Sequence, residues 1–143
     1  MRKTLMIIGI ALSFIACKES KTKQENTLNE QKNENSVEVL YFHGKQRCAT
    51  CVAIEENTKQ LIKERFSEQI AKGELVFKTI DINENETLAD KYEITWSSLL
   101  VVDNENGKEI VEDLTNFAFT NALNSPEEFK EGVSKTINNM LNN

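Results

Sequence analysis

Residues 36–51, SVEVLYFHGKQRCATC, constrain this chain more than any other stretch. Val37, Val39, Leu40, Tyr41 and Phe42 form an apolar, β-prone run, as a strand covered on both faces requires. His43-Gly44-Lys45-Gln46-Arg47 interrupts it with a polar loop, and Cys48-Ala49-Thr50-Cys51 then opens a long segment of helical periodicity. Two cysteines at a helix start carry a mechanism. The unpaired N–H groups and partial positive charge of the helix N-terminus favour a thiolate there. The C-x-x-C spacing puts the second sulfur within bonding reach of the first, so the pair can close and reopen.

The chain has 143 residues, enough for one domain with its own core after a leader is set aside. Its 39% hydrophobic and 28% charged residues are ordinary for a soluble domain. Removing Arg2 and Lys3 with a leader takes the formal net charge from −6 to −8. Residues 18–36 carry equal numbers of Lys and Glu, so residues 37–143 hold that whole negative charge. This argues against nucleic acid as a partner and against a basic membrane-surface patch.

Met1-Arg2-Lys3 is a short basic start, and Leu5 to Ala16 is an apolar run too short to span a bilayer, which takes about 20 residues. It fits the hydrophobic region of a signal peptide. It ends in Phe14-Ile15-Ala16-Cys17, which resembles a bacterial lipobox, with Phe14 departing from the usual Leu. The resemblance implies cleavage before Cys17 and lipidation of its sulfur, which explains an odd count of three cysteines. Lys18 to Asn35 has one Leu and no aromatic residue, and is expected to be a flexible tether with an r.m.s. span of about 25 Å. The expected organisation is therefore a leader over 1–16, a lipidated Cys17 and tether over 17–35, and a folded domain over 36–143. The expected location is the bacterial cell envelope, lipid-anchored and facing the periplasm or at the outer membrane.

In the folded part, Ile54, Leu61, Ile62, Phe66 and Ile70 recur at helical intervals, which predicts one helix opened by Cys48-Ala49-Thr50-Cys51, running to Lys72 and capped by Gly73. Leu75 to Ile82 is predicted as a strand, and Asn83 to Tyr92 holds a short polar helix. Ser97 to Asp103 and Lys108 to Leu114 are strands joined by an Asn106-Gly107 turn. Thr115 to Asn124 fits either a helical turn or an edge strand. Ser125-Pro126-Glu127-Glu128 predicts a helix start with a capping box, followed by an apolar face of Phe129, Val133, Ile137 and Met140. The order β-α-β-α-β-β-α gives a four-stranded mixed sheet with helices on both faces. Its first two strands are parallel across a helical crossover, and its last two form a hairpin.

This order, with C-x-x-C opening the first crossover helix, resembles the thioredoxin core over roughly residues 37–141. Val76 to Ile94, VFKTIDINENETLADKYEI, is similar to the family's central strand and second helix. YFHGKQRCATC followed by an acidic helix also resembles a group of bacterial lipoproteins called ArsF-like. The thioredoxin resemblance implies an α/β thioredoxin-like fold and a thiol–disulfide oxidoreductase, with Cys48 attacking and Cys51 resolving. Lys45 and Arg47 would favour the Cys48 thiolate. Implied partners are thiols or disulfides of envelope proteins, or a partner reductase. A monomer without cofactor is expected.

Four departures from the family pattern matter. The proline before the third strand is replaced by Ser97 or Ser98, and a cis bond there is not expected, since outside proline it costs about 2.5–4 kcal/mol. In the family that proline keeps metal off the cysteines. Its absence opens an alternative, a soft-metal or arsenite binding protein using Cys48, Cys51 and His43. The family's buried acid is replaced by Tyr41, while Lys78 aligns with that acid's lysine partner. Arg47 stands in place of a Trp. C-A-T-C replaces C-G-P-C. His43, the sole histidine, is a candidate base or third ligand, but a strand-end histidine bonded to backbone is the favoured reading. Trp96 is a candidate floor for a substrate groove or a packing aromatic. Glu55 and Glu56 are read as a solvated helix face, with Glu55 the one acid positioned to take a proton. A third reading of the whole is a non-enzymatic interaction module of the same fold.

Overall fold

A computed structural model describes residues 36–105 and 108–142; the leader, Cys17, the tether and the Asn106-Gly107 turn lie outside the described residues. The elements are β1 (Val37–His43), α1 (Ala49–Arg65), α2 (Ser67–Lys72), β2 (Leu75–Asp81), α3 (Glu86–Lys91), β3 (Ser98–Glu105), β4 (Lys108–Asp113), α4 (Thr115–Asn121) and α5 (Pro126–Leu141). The sheet order is β2-β1-β3-β4. β1 pairs parallel with β2 and antiparallel with β3, and β3 pairs antiparallel with β4.

The doubly apolar strands take the centre. Val37, Val39 and Tyr41 of β1, with Leu99 and Val101 of β3, face a core built with α1, α4 and α5. Leu40, Phe42, Leu100 and Val102 point the other way and pack with Ile80, Leu88, Tyr92 and Ile94 around α3. This alternation is the two-residue period of a strand with both faces covered. β4, KEIVED, is exposed along its whole length, as suits an edge strand that no helix covers. The mixed sheet with helices on both faces is thus the architecture expected from the sequence.

Three local readings change. The helix expected to run to Lys72 breaks at Phe66, whose backbone leaves helical geometry at φ −128° and ψ 18° and whose ring is buried in the core. Burying that ring is worth about 1.5–3 kcal/mol, against about 0.5–1.5 kcal/mol for a helical hydrogen bond. Gly73 does close the second piece, at φ 71°. The ambiguous Thr115–Asn124 segment is helical in α4. Asp113 Oδ1 accepts the Thr115 amide at 2.8 Å, and Ala118 and Ala122, one turn apart, are both buried. α5 begins at Pro126 as expected, but the Ser125 side chain makes no capping bond. Its ψ of 61° departs from the extended geometry that aims a capping oxygen at the helix.

Candidate active site

β1 delivers the chain to the end of the sheet, and the loop after it turns so that Cys48 becomes the N-cap of α1. Cys48 has extended backbone, φ −76° and ψ 166°, and its Sγ accepts the Cys51 amide at 3.1 Å. That contact gives the sulfur the capping role of a Ser or Asp oxygen, and in the reduced protein it favours the thiolate. Cys48 is exposed, whereas Cys51, one turn in, is 5% exposed. The two are disulfide-bonded, with Cα atoms 5.0 Å apart.

A partly buried cluster lies against this pair. The Tyr41 hydroxyl, on the face of β1 under α1, donates to the Cys51 carbonyl at 2.7 Å. The Arg47 guanidinium lies over the Tyr41 ring, 5.7 Å from its centroid, within the range of a cation–π contact. Arg47 also bonds the Glu55 carboxylate, which Lys59 bonds from the next turn of α1. Glu55 is 6% exposed, so the expectation of a solvated face fails for this residue and describes Glu56 instead. α1 turns Glu55, four residues after Cys51, onto the same side as Cys51, and the loop brings a cation to meet it. Burial alone would raise the Glu55 pKa, but hydrogen bonds from Lys59 and Arg47, with their charges, hold it below the ordinary carboxylate value. Glu55 is therefore an anchored carboxylate and a poor proton acceptor. Burial pushes the Tyr41 hydroxyl above its usual pKa, only partly opposed by hydrogen bonds with Arg47 and Ser97, so it stays protonated.

The remaining candidates fall into place around this cluster. Ser97 and Ser98 are buried, and Ser98 Oγ donates to the Trp96 carbonyl at 3.2 Å. No peptide bond among the described residues is cis. Trp96 is 58% exposed and stacks on Phe119 of α4, with centroids 5.6 Å apart and planes at 16°. It is thus a surface ring held flat by one neighbour. His43 is half-buried with Nδ1 3.1 Å from the Gly44 carbonyl. Among the described residues no group of three His, Cys, Asp or Glu side chains is placed to hold a metal ion. Lys45 is exposed. Asp81, at the end of β2, is held below the usual pKa first by hydrogen bonds from Asn83 and then by the charges of His43 and Lys45.

Lys78 needs correction. It pairs in register with Leu40 and its Nζ bonds Glu38 at 3.0 Å, so it lies on the α3 side of the sheet, away from Tyr41 and the cysteines. The two-residue strand period puts Thr79, the register partner of Tyr41, on the cysteine side instead. The Arg47–Glu55–Lys59 pairing and the Trp96–Phe119 stack were not read from the sequence. The i+4 spacing of Glu55 from Cys51 was the available signal for the first; the second joins residues distant in sequence and left none.

No protein-family model and no curated protein matches the chain. Solved structures do. The reduced thioredoxin pre-protein of Schistosoma mansoni aligns at 18% identity over 75% of this chain and 81% of its own, with a TM-score of 0.50. The thioredoxin of Fasciola hepatica aligns at 22% identity over 73% and 81%, with a TM-score of 0.49. At these identities the comparison speaks to architecture. Together with the sheet order and the position of the cysteine pair, it places the chain among proteins of the thioredoxin-like fold.

Proposed function

We propose that this protein is a thiol–disulfide oxidoreductase of the bacterial cell envelope, tethered to a membrane by a lipid on Cys17. The observation that carries the chemistry is the asymmetric pair: an exposed Cys48 at a helix N-terminus, closed onto a buried Cys51. The tether rests on the lipobox-like Phe14-Ile15-Ala16-Cys17 and the polar stretch after it.

In the reduced protein the Cys48 thiolate attacks one sulfur of a substrate disulfide. The S–S bond breaks, one substrate sulfur leaves as thiolate, and the other is held by Cys48. Cys51 then loses its proton to solvent and attacks Cys48 Sγ, which forms the Cys48–Cys51 bond and releases the second substrate thiolate. Two electrons pass from the protein dithiol to the substrate disulfide, and the leaving thiolates take up protons from water. The reverse sequence oxidises a substrate dithiol. Tyr41 holds the Cys51 carbonyl, which fixes the first turn of α1 through both steps. Trp96, with Ser97 and Ser98 behind it, forms the wall along which a substrate chain lies. The substrate is a cysteine pair in another envelope protein or in a partner reductase.

The test is to stop the cycle halfway. In Cys51→Ser, Cys48 can still attack but nothing resolves the adduct. Incubation with a disulfide-bonded model protein is expected to accumulate a covalent 1:1 complex, seen on a non-reducing gel and released by dithiothreitol. If no adduct forms while Cys48 remains alkylatable, the oxidoreductase reading is wrong.

A further inference from the structure

The Arg47–Glu55 pair is a strange neighbour for a reactive thiol. Arg47 is bonded to Cys48 through the backbone, and its charge would favour a thiolate there. Yet its guanidinium is turned inward, over Tyr41 and onto a buried carboxylate. The charged groups facing this corner are Lys45 and Arg47 from the loop and Glu55 and Lys59 from α1. The titratable groups of β1 beside them are Tyr41 and His43, the latter close to Asp81 of β2. Glu55 is the one anion buried among these groups on the α1 side.

We propose that Glu55 is a positioning residue that sets the thiol–disulfide equilibrium of the Cys48–Cys51 pair by holding and partly neutralising the Arg47 charge. This rests on the oxidoreductase reading of the two cysteines. A carboxylate close to a thiol works against the thiolate, and a cation works for it. A more stable thiolate stabilises the reduced form and makes the pair more oxidising. Removing Glu55's charge frees Arg47 to act on Cys48. Removing Arg47's charge leaves Glu55 to act on Cys48 with only Lys59 still paired to it.

The two charges therefore have opposite signs of effect, whereas a merely structural clamp would be broken equally by either change. Oxidised dithiothreitol accepts the two electrons and two protons of the protein dithiol, and the equilibrium is read from the fraction of Cys48–Cys51 disulfide. Glu55→Gln is expected to favour the dithiol, and Arg47→Gln the disulfide, by roughly tenfold each, equivalent to about 30 mV in opposite directions. The pH profile of Cys48 alkylation is expected to shift to lower pH in Glu55→Gln and to higher pH in Arg47→Gln. Arg47→Lys, which keeps the charge, is expected to restore most of the Arg47→Gln shift. Should Glu55→Gln fail to fold, Lys59→Gln replaces it. The Lys59 side chain is 42% exposed, and losing its charge is expected to move the equilibrium in the Arg47→Gln direction. Shifts of the same sign in Glu55→Gln and Arg47→Gln, or less than twofold in either, overturn the proposal. An unshifted Lys59→Gln does the same where it stands in. A wild-type pair that does not exchange with dithiothreitol would instead refute the oxidoreductase reading itself.

Discussion

Cys48→Ser is expected to abolish catalysed disulfide exchange and leave only the uncatalysed background in a dithiothreitol-driven insulin reduction assay. In the proposed cycle the exposed Cys48 supplies the attacking sulfur, and a serine hydroxyl cannot form the thiolate on which that cycle depends. The fold is expected to survive. Serine is a favoured N-cap, so its oxygen can accept the Cys51 amide as the sulfur does. The lost disulfide closes a loop of only three residue steps and constrains the unfolded chain by about 2 kcal/mol or less. A circular-dichroism melt close to wild type beside a dead enzyme is the expected pair of results. Retained turnover in Cys48→Ser would mean that Cys51 or another group does the chemistry.

The second large effect belongs to the fold. Phe129 of α5 is fully buried and its ring stacks on Phe117 of α4, with centroids 6.4 Å apart. It also joins the core formed by Val39, Leu99 and Leu61, so it ties the last two helices to the sheet and to α1. Truncation to alanine removes the ring and leaves a cavity, at about 3–5 kcal/mol. That is a large share of the roughly 5–15 kcal/mol that holds a domain folded. Phe129→Ala is expected to melt on the order of 15 °C below wild type, at about 4 °C or more per kcal/mol for a domain of this size. Below its melting point the Cys48–Cys51 pair is expected to exchange normally, because Phe129 stacks on Phe117 of α4 while the cysteines stand at the N-terminus of α1. A drop of a few degrees would mean that α5 does not dock as described.

Much of this was legible in the sequence, for physical reasons that differ from residue to residue. The β1 run, the C-x-x-C and the helix after it are local signals, and local signals read well. The sheet followed from its connections, since a long crossover forces β1 and β2 parallel and a short link carrying an Asn-Gly turn signal makes β3 and β4 a hairpin. Residues whose meaning depends on a partner far along the chain did not read well. Glu55 looked like surface because it opens the polar run Glu55 to Gln60, and only the folded loop brings Arg47 onto it. Phe66 looked like one more helical contact, but a core position outweighed helix continuity. Lys78 was misplaced by alignment, although strand parity with Leu40 would have put it on the correct face. Phe119 carried no signal of its stacking on Trp96, 23 residues before it, because that contact is made only in the fold.

The central claim is that Cys48 and Cys51 form a reversible redox pair. The most direct test is an equilibrium titration of the purified protein in metal-free buffer, poised with dithiothreitol or glutathione and read by thiol alkylation. A single reversible two-electron transition is expected, with a midpoint between about −270 and −120 mV, the span of thioredoxin-fold oxidoreductases. A pair that will not cycle, or that cycles only once bound metal has been stripped from it, would contradict the claim.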